Sequence, residues 1–326
     1  MTYAVILSVL NIMLTVRITT MSAMQMLTLT SADKIDENKN KELRTMRHKP
    51  FEFRSRGKML YAQRWWPASG YPRAVVIFIH SWADYSGRYS EVAAFLAAGG
   101  YAAYSFDFEG HGQSEGARAH ISDFQHWVSD LTTFIATVQT ELRSVPIFLA
   151  GYGVGGCVAA HYLAKHQNDI DGVIFNASAL VVSKDISRFK IMMAWLIGGI
   201  IPKLPLSALP PNQISSDVQE QRAYDEDPQV YHGKMNAGTG KELLMANLSV
   251  SGFLPKISTP LLVLQGADDK LVSPEGGTAV YNLAQSSDKE LEVYPGALHD
   301  LLHEKQKHDV FARIRSWLDA RITQHW

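Results

Sequence analysis

The 326-residue chain has a single cysteine, Cys157, so it can form no internal disulfide and no cysteine-based zinc site. Its 12 histidines are scattered and form no H-E-x-x-H pattern; His161 and His166 miss the i,i+4 spacing and read as capping or solvent-facing groups. No metal ion and no cofactor is expected. A net charge of −1 with no basic stripe excludes a nucleic-acid surface. There is no internal repeat and no low-complexity run. The most consequential absence is a hydroxyl: no serine stands between Gly151 and Gly155, where the surrounding pattern asks for one.

With 46% hydrophobic residues, the chain can bury a large core as one α/β domain with an insertion. The N-terminus is a separate matter. Tyr3–Val16 is a run of 14 uncharged, mostly apolar residues, and Arg17 is the one charged side chain before Asp33. As a helix this run spans about 21 Å, short of a bilayer core of about 30 Å. Extended to Met21 it suffices, with Arg17 near one end where it can snorkel. Residues 1–30 are thus a candidate membrane anchor; the alternative is that translation starts at Met21, Met24 or Met46. No lysine or arginine precedes the run, which argues against a cleaved signal peptide. The polar residues 31–49 read as a linker, and 50–326 as the folded domain.

Within that domain short apolar strands alternate with helices. Ala74–His80 contains VVIFI, the continuous apolar run of a strand covered on both faces. Leu60–Trp66, Tyr101–Phe106, Ile147–Ala150, Gly172–Asn176, Leu261–Gln265 and Leu291–Tyr294 are further strands. Helices fall at Tyr89–Ala98, Ser122–Leu142 with Ser122 as N-cap, Val154–His166, Pro274–Ala284 and Glu304–Ile322. This rhythm implies a doubly wound, mostly parallel α/β sheet. It breaks over about 180–253, too long for a loop and read as a helical cap inserted over the sheet's C-terminal edge. The cap's apolar stretch Phe189–Ile201 suits either the cap's own core or a lipid-facing surface.

Residues 146–161, PIFLAGYGVGGCVAAH, read as a buried strand, a sharp turn and a helix. That is the layout of the nucleophile elbow G-x-S-x-G, in which a strained turn lifts a serine hydroxyl above the sheet. Gly151 and Gly155 frame it, and Gly153 occupies the nucleophile position. With this elbow the remaining groups follow in the order acid, then histidine. LLVLQGADDK supplies Asp269, with Asp268 as the alternative, and VYPGALHDLLHE supplies His299. An aspartate against an imidazole fixes its tautomer and stabilises the imidazolium. The oxyanion hole is expected from the backbone N–H groups of Trp82, in His80-Ser81-Trp82, and of Val154.

These motifs resemble the monoacylglycerol lipase and lysophospholipase branch of the α/β-hydrolases, over roughly Phe51 to Trp317. The most specific pieces are SGRYSE (86–91), FDFEGHGQSEG (106–116), LLVLQGADDKLV (261–272) and YPGALHDLLHE (294–304). The resemblance implies an α/β-hydrolase fold, acid and base roles for Asp269 and His299, and a polar glycerol pocket lined by Asp84 and Arg88. It implies a monoacyl lipid or small ester as ligand, with a membrane surface as partner. Two departures stand out. The family's G-H-S-M-G-G is GYGVGG here, losing the serine to Gly153 and the histidine to Tyr152, and Ser81 replaces a glycine in the oxyanion loop.

An elbow residue sits at positive φ, which costs a non-glycine about 1–3 kcal/mol, so Gly153 relieves strain. Three functions follow. The first is a ligand-binding pocket with impaired hydrolysis, in which restoring a serine at 153 would set a hydroxyl before His299. The second is a working ester hydrolase, if Gly153 is an artefact or an engineered change, or if Ser81 or Cys157 substitutes as nucleophile. The third is other chemistry by the Asp–His pair, such as a lyase reaction.

Overall fold

The structure, a computed structural model, describes residues 46–181 and 187–322. Residues 1–30 and the linker up to residue 45 lie outside them. No helix among the described residues is long and apolar enough to cross a membrane.

Eight strands form one sheet: β1 (Met46–Ser55), β2 (Lys58–Pro67), β3 (Val75–Ile79), β4 (Ala102–Phe106), β5 (Ile147–Tyr152), β6 (Gly172–Asn176), β7 (Leu261–Gly266) and β8 (Lys289–Tyr294). The order is β1-β2-β4-β3-β5-β6-β7-β8. β1 and β2 are antiparallel additions at one edge, and the six strands from β4 to β8 run parallel. β1 corrects the linker boundary, because Met46–Lys49 pair with Arg64–Pro67. Those four residues read as linker because they lie on an edge strand and three of their side chains are exposed. Only the backbone pairing marks them as strand, and composition does not carry it.

The helices are α1 (Ser90–Ala98), α2 (Phe124–Glu141), α3 (Val154–His166), α4 (Arg188–Ile200), α5 (Val218–Glu226), α6 (Ala237–Val250), α7 (Pro274–Leu283) and α8 (Lys307–Ile322). Alternation along β3 divides the core between two faces. Val75, Ile77 and Ile79 pack with Trp127, Leu131 and Phe134 of α2. Val76 and Phe78 pack with Leu96 of α1 and with Phe311 and Trp317 of α8. α2 starts one residue later than the sequence suggests. Its N-cap is Asp123, whose carboxylate accepts from Gln125 N–H at 2.8 Å, while the Ser122 hydroxyl turns to His126.

The insertion between β6 and β7 carries α4, α5 and α6. Gly198 lets α4 lie close against α6, since a Cβ there would come within 2.5 Å of Lys241 Cβ. Gly198 is also the one buried residue of α4. Phe189, Met192, Trp195 and Ile200 are all more than half exposed. The apolar stretch therefore does not form the cap's core.

Candidate active site

Parallel strands deliver their following loops to one edge, where doubly wound sheets gather their ligands. Here the loops after β3, β5, β7 and β8 bring residues 80–84, Gly153, Asp269 and His299 together. The turn between β5 and α3 is set by close packing. A Cβ on Gly155 would lie 2.0 Å from the Ile79 carbonyl oxygen, so α3 starts hard against the end of β3. Gly153, at the turn, has φ 52° and ψ −116°, a conformation that favours glycine.

Asp269 is buried, and both its carboxylate oxygens are engaged. Oδ1 accepts from the backbone N–H groups of Leu271 (2.8 Å) and Val272 (3.0 Å). Oδ2 lies 2.8 Å from His299 Nδ1 and accepts from Gln265 Nε2 at 3.2 Å. Asp268 is exposed and pairs only through its backbone N–H, to the Ala297 carbonyl. With Nδ1–H given to the carboxylate, the neutral imidazole presents Nε2 as its acceptor. Nε2 lies 3.4 Å from the point a Cβ on residue 153 would occupy.

The loop after β3 differs from expectation. The Val154 N–H, expected to face a ligand, donates instead to Ser81 Oγ at 3.1 Å. Ser81 Oγ also lies 2.5 Å from the ideal Cβ position at 153, and Ser81 Cβ lies 3.1 Å from it. A serine at 153 would therefore require the Ser81 hydroxyl to turn away and Ser81 Cβ to give by a few tenths of an ångström. The Ser81 carbonyl is held by His80 Nδ1 at 2.7 Å, and His80 Nε2 accepts from Phe108 N–H at 2.9 Å. Burial, with His111 adding to it, keeps the His80 ring well below the usual histidine range, so it is neutral. Trp82 is buried and gives its indole N–H to the Ala119 carbonyl at 2.9 Å.

Asp84 and Arg88 stand at one side of the same site in a buried charge cluster. Arg88 Nη2 reaches Asp300 Oδ2 at 2.6 Å, and Arg88 Nε approaches Asp84 Oδ1 at 3.0 Å at an angle too poor for a hydrogen bond. His303 Nδ1 lies 2.8 Å from Asp300 Oδ2, and the Arg88 guanidinium stacks 5.0 Å over Tyr224. Burial pushes the Asp84 carboxyl up to about 6, helped by Asp300 and opposed by Arg88. Burial would also raise Asp300, but His303 and Arg88 hold it below the usual carboxylate range. Asp300, His303 and Tyr224 escaped the sequence reading. Asp300 directly follows His299 in the quoted motif, which was the available signal.

Cys157 is buried on α3, and burial pushes its thiol up, away from the thiolate a nucleophile needs. His161 is not solvent-facing: it is buried between the Cys157 carbonyl and Ser249 Oγ, both at 2.8 Å. No cluster of three or more metal-ligating side chains occurs among the described residues. The cavity bounded by Ser81, Arg88, Tyr152, Ile214, Tyr224 and His299 measures about 20 Å³, room for about one water. A larger cleft of about 490 Å³, between β1 and α2, involves none of these residues.

Residues 70–306 match the family described as serine aminopeptidase, S33. The chain belongs to this family of α/β-hydrolases. Rat monoglyceride lipase is 32% identical over 269 residues, which cover 82% of this chain and 88% of the lipase. Monoacylglycerol lipase of Mycolicibacterium smegmatis is 29% identical over 79% of this chain and 92% of its own length. The crystal structure of a Paleococcus ferrophilus monoacylglycerol lipase superposes with a TM-score of 0.71 at 26% identity, covering 80% of this chain and 99% of that one. The chain is thus a monoacylglycerol lipase-like α/β-hydrolase in fold and family. Its site holds Asp269 against His299 at 2.8 Å, with Gly153 at the turn between β5 and α3.

Proposed function

We propose that the chain holds a monoacyl lipid, a monoacylglycerol or lysophospholipid, beneath the insertion at about 180–253, and that its hydrolysis of that ligand is impaired. In this reading Asp269 is the acid and His299 the base. Gly153 marks the empty nucleophile position, the backbone N–H groups of Trp82 and Val154 are the oxyanion positions, the second of them occupied by the Ser81 hydroxyl, and Asp84 and Arg88 receive the polar head. The observation that carries it is the Asp269–His299 pair, bonded at 2.8 Å and facing a residue with no side chain. An imidazole can take a proton only from something present, and loss of a nucleophile costs about 10⁶ in kcat in a well-studied protease. The cavity of about 20 Å³ is too small for a head group, so binding requires Tyr224 and Ile214 of the insertion to move aside.

The exposed apolar side chains of α4 support contact with a lipid surface, from which such a ligand would be drawn. The test is to offer the purified protein a monoacylglycerol. Binding by native mass spectrometry without release of fatty acid is the expected result; rapid release would sink the reading. The completeness of the acid–base half favours a second reading, a carboxylic ester hydrolase whose nucleophile is supplied other than by residue 153. Cys157 is a poor source, being buried with a raised thiol pKa.

A further inference from the structure

We propose that Ser81 is a positioning residue that closes the oxyanion site, and that serine at 81 and serine at 153 exclude one another. The proposal rests on the reading above and explains why the site would hold an ester without cleaving it. The Ser81 hydroxyl accepts from the Val154 N–H at 3.1 Å, the donor that a tetrahedral oxyanion would need. The same oxygen lies 2.5 Å from the ideal Cβ of residue 153, closer than real side chains approach. Glycine at 153 and serine at 81 thus form one packed unit, the second filling the volume the first leaves open.

Rotating Ser81 does not remove the conflict. If χ1 turned the oxygen away, Ser81 Cβ would remain 3.1 Å from a Cβ at 153, still a tight contact. The Ser81 backbone has little room to retreat, because its carbonyl accepts both from the His80 ring at 2.7 Å and from Asp84 N–H at 3.3 Å. Nor does the geometry favour Ser81 itself as an attacking group. Its hydroxyl accepts from the Val154 N–H and makes no hydrogen bond to His299 among the described residues, whereas an activated serine gives its proton to the base. A ligand carbonyl entering the site would find the Val154 N–H already taken. Glycine at 81 alone would free that donor without supplying a nucleophile, and serine at 153 alone would supply a nucleophile against an occupied space.

The experiment compares four proteins: wild type, Ser81→Gly, Gly153→Ser and the double variant. Each is tested for p-nitrophenyl ester hydrolysis, for labelling by a fluorophosphonate probe read by intact mass and peptide mapping, and for Tm. The proposal expects labelling at residue 153 and an activity about 10³-fold above either single variant in the double variant alone. It also expects the Tm loss caused by Gly153→Ser to be smaller when Ser81→Gly is present, a coupling independent of catalysis. Full activity in Gly153→Ser alone would overturn the proposal, as would equal Tm losses in both backgrounds. A folded but unlabelled double variant would overturn the oxyanion part of it, and labelling of Ser81 in wild type would show that Ser81 is the nucleophile. Monoacylglycerol binding by wild type is measured separately; its failure would remove the lipid reading and leave the coupling between 81 and 153 standing.

Discussion

The acid–base half of the site, on the loops after β7 and β8, can be set against the nucleophile half, on the loops after β3 and β5. In the first, both Asp269 oxygens and His299 Nδ1 are held in hydrogen bonds that leave Nε2 turned toward position 153. In the second, the side chain that would meet Nε2 is missing, and a neighbouring hydroxyl has taken its space and its backbone donor. The difference lies in what each group does for the fold. Removing Asp269 would leave the part-buried Leu271 and Val272 N–H groups and the imidazole without their acceptor, so it serves the fold as well as any chemistry. A serine at the positive φ of residue 153 brings strain and no structural hydrogen bond, so only catalysis would retain it.

The largest expected effect breaks this comparison by joining the halves. In the Ser81→Gly/Gly153→Ser protein, adding His299→Ala should lower ester hydrolysis by about 10³-fold or more. Survival of activity would mean that the imidazole is not the base. Next, Asp269→Ala in the wild-type background should cost roughly 2–4 kcal/mol in urea unfolding, because it leaves the Leu271 and Val272 N–H groups without their acceptor. A loss below about 0.5 kcal/mol, the size of an ordinary surface change, would contradict the structural role given to Asp269.

A third prediction concerns pH. The folded-state carboxyl of Asp84 titrates near 6, above its ordinary 3.8, so between these values the folded protein binds more protons than the unfolded chain. This group's contribution to stability is therefore highest below about pH 4 and falls as pH rises toward 6, then levels off. Asp300 has the opposite shift, and its contribution is lost only as pH falls below the ordinary carboxylate range. The stability of wild type relative to Asp84→Asn should accordingly decline between pH 4 and 6. A difference that stays flat across that window would show that Asp84 is not held in the way the cluster implies. The smallest effect on folding belongs to α4: Trp195→Ser, at a side chain 56% exposed, should change stability by less than about 0.5 kcal/mol. The same change should reduce sedimentation with liposomes, and unchanged sedimentation would count against the α4 surface as the lipid contact.

Much of the fold was legible because buried parallel strands write themselves as apolar runs. VVIFI became β3, buried at every residue, and Val154–His166 and Gly172–Asn176 became α3 and β6 with the expected bounds. Met46–Lys49 were illegible because three of their four side chains are exposed, and the partners that fix them as a strand lie on β2, 15 or more residues away. The apolar α4 was ambiguous for the converse reason: hydrophobicity reports what a residue prefers, not whether the fold covers it. At the site, Asp269 and His299 stood in recognisable strand-end motifs, and the distances bring them together. Ser81 was visible only as a departure. That its hydroxyl reaches across to Val154 depends on two loops 73 residues apart, which spacing along the chain does not encode.

The most direct test of the central claim is the reaction of the unmodified protein with a fluorophosphonate ester, followed by intact mass over hours. The account predicts no mass increase, because His299 faces a glycine and the Ser81 hydroxyl makes no hydrogen bond to the imidazole. A stoichiometric adduct on any residue of the site would contradict it.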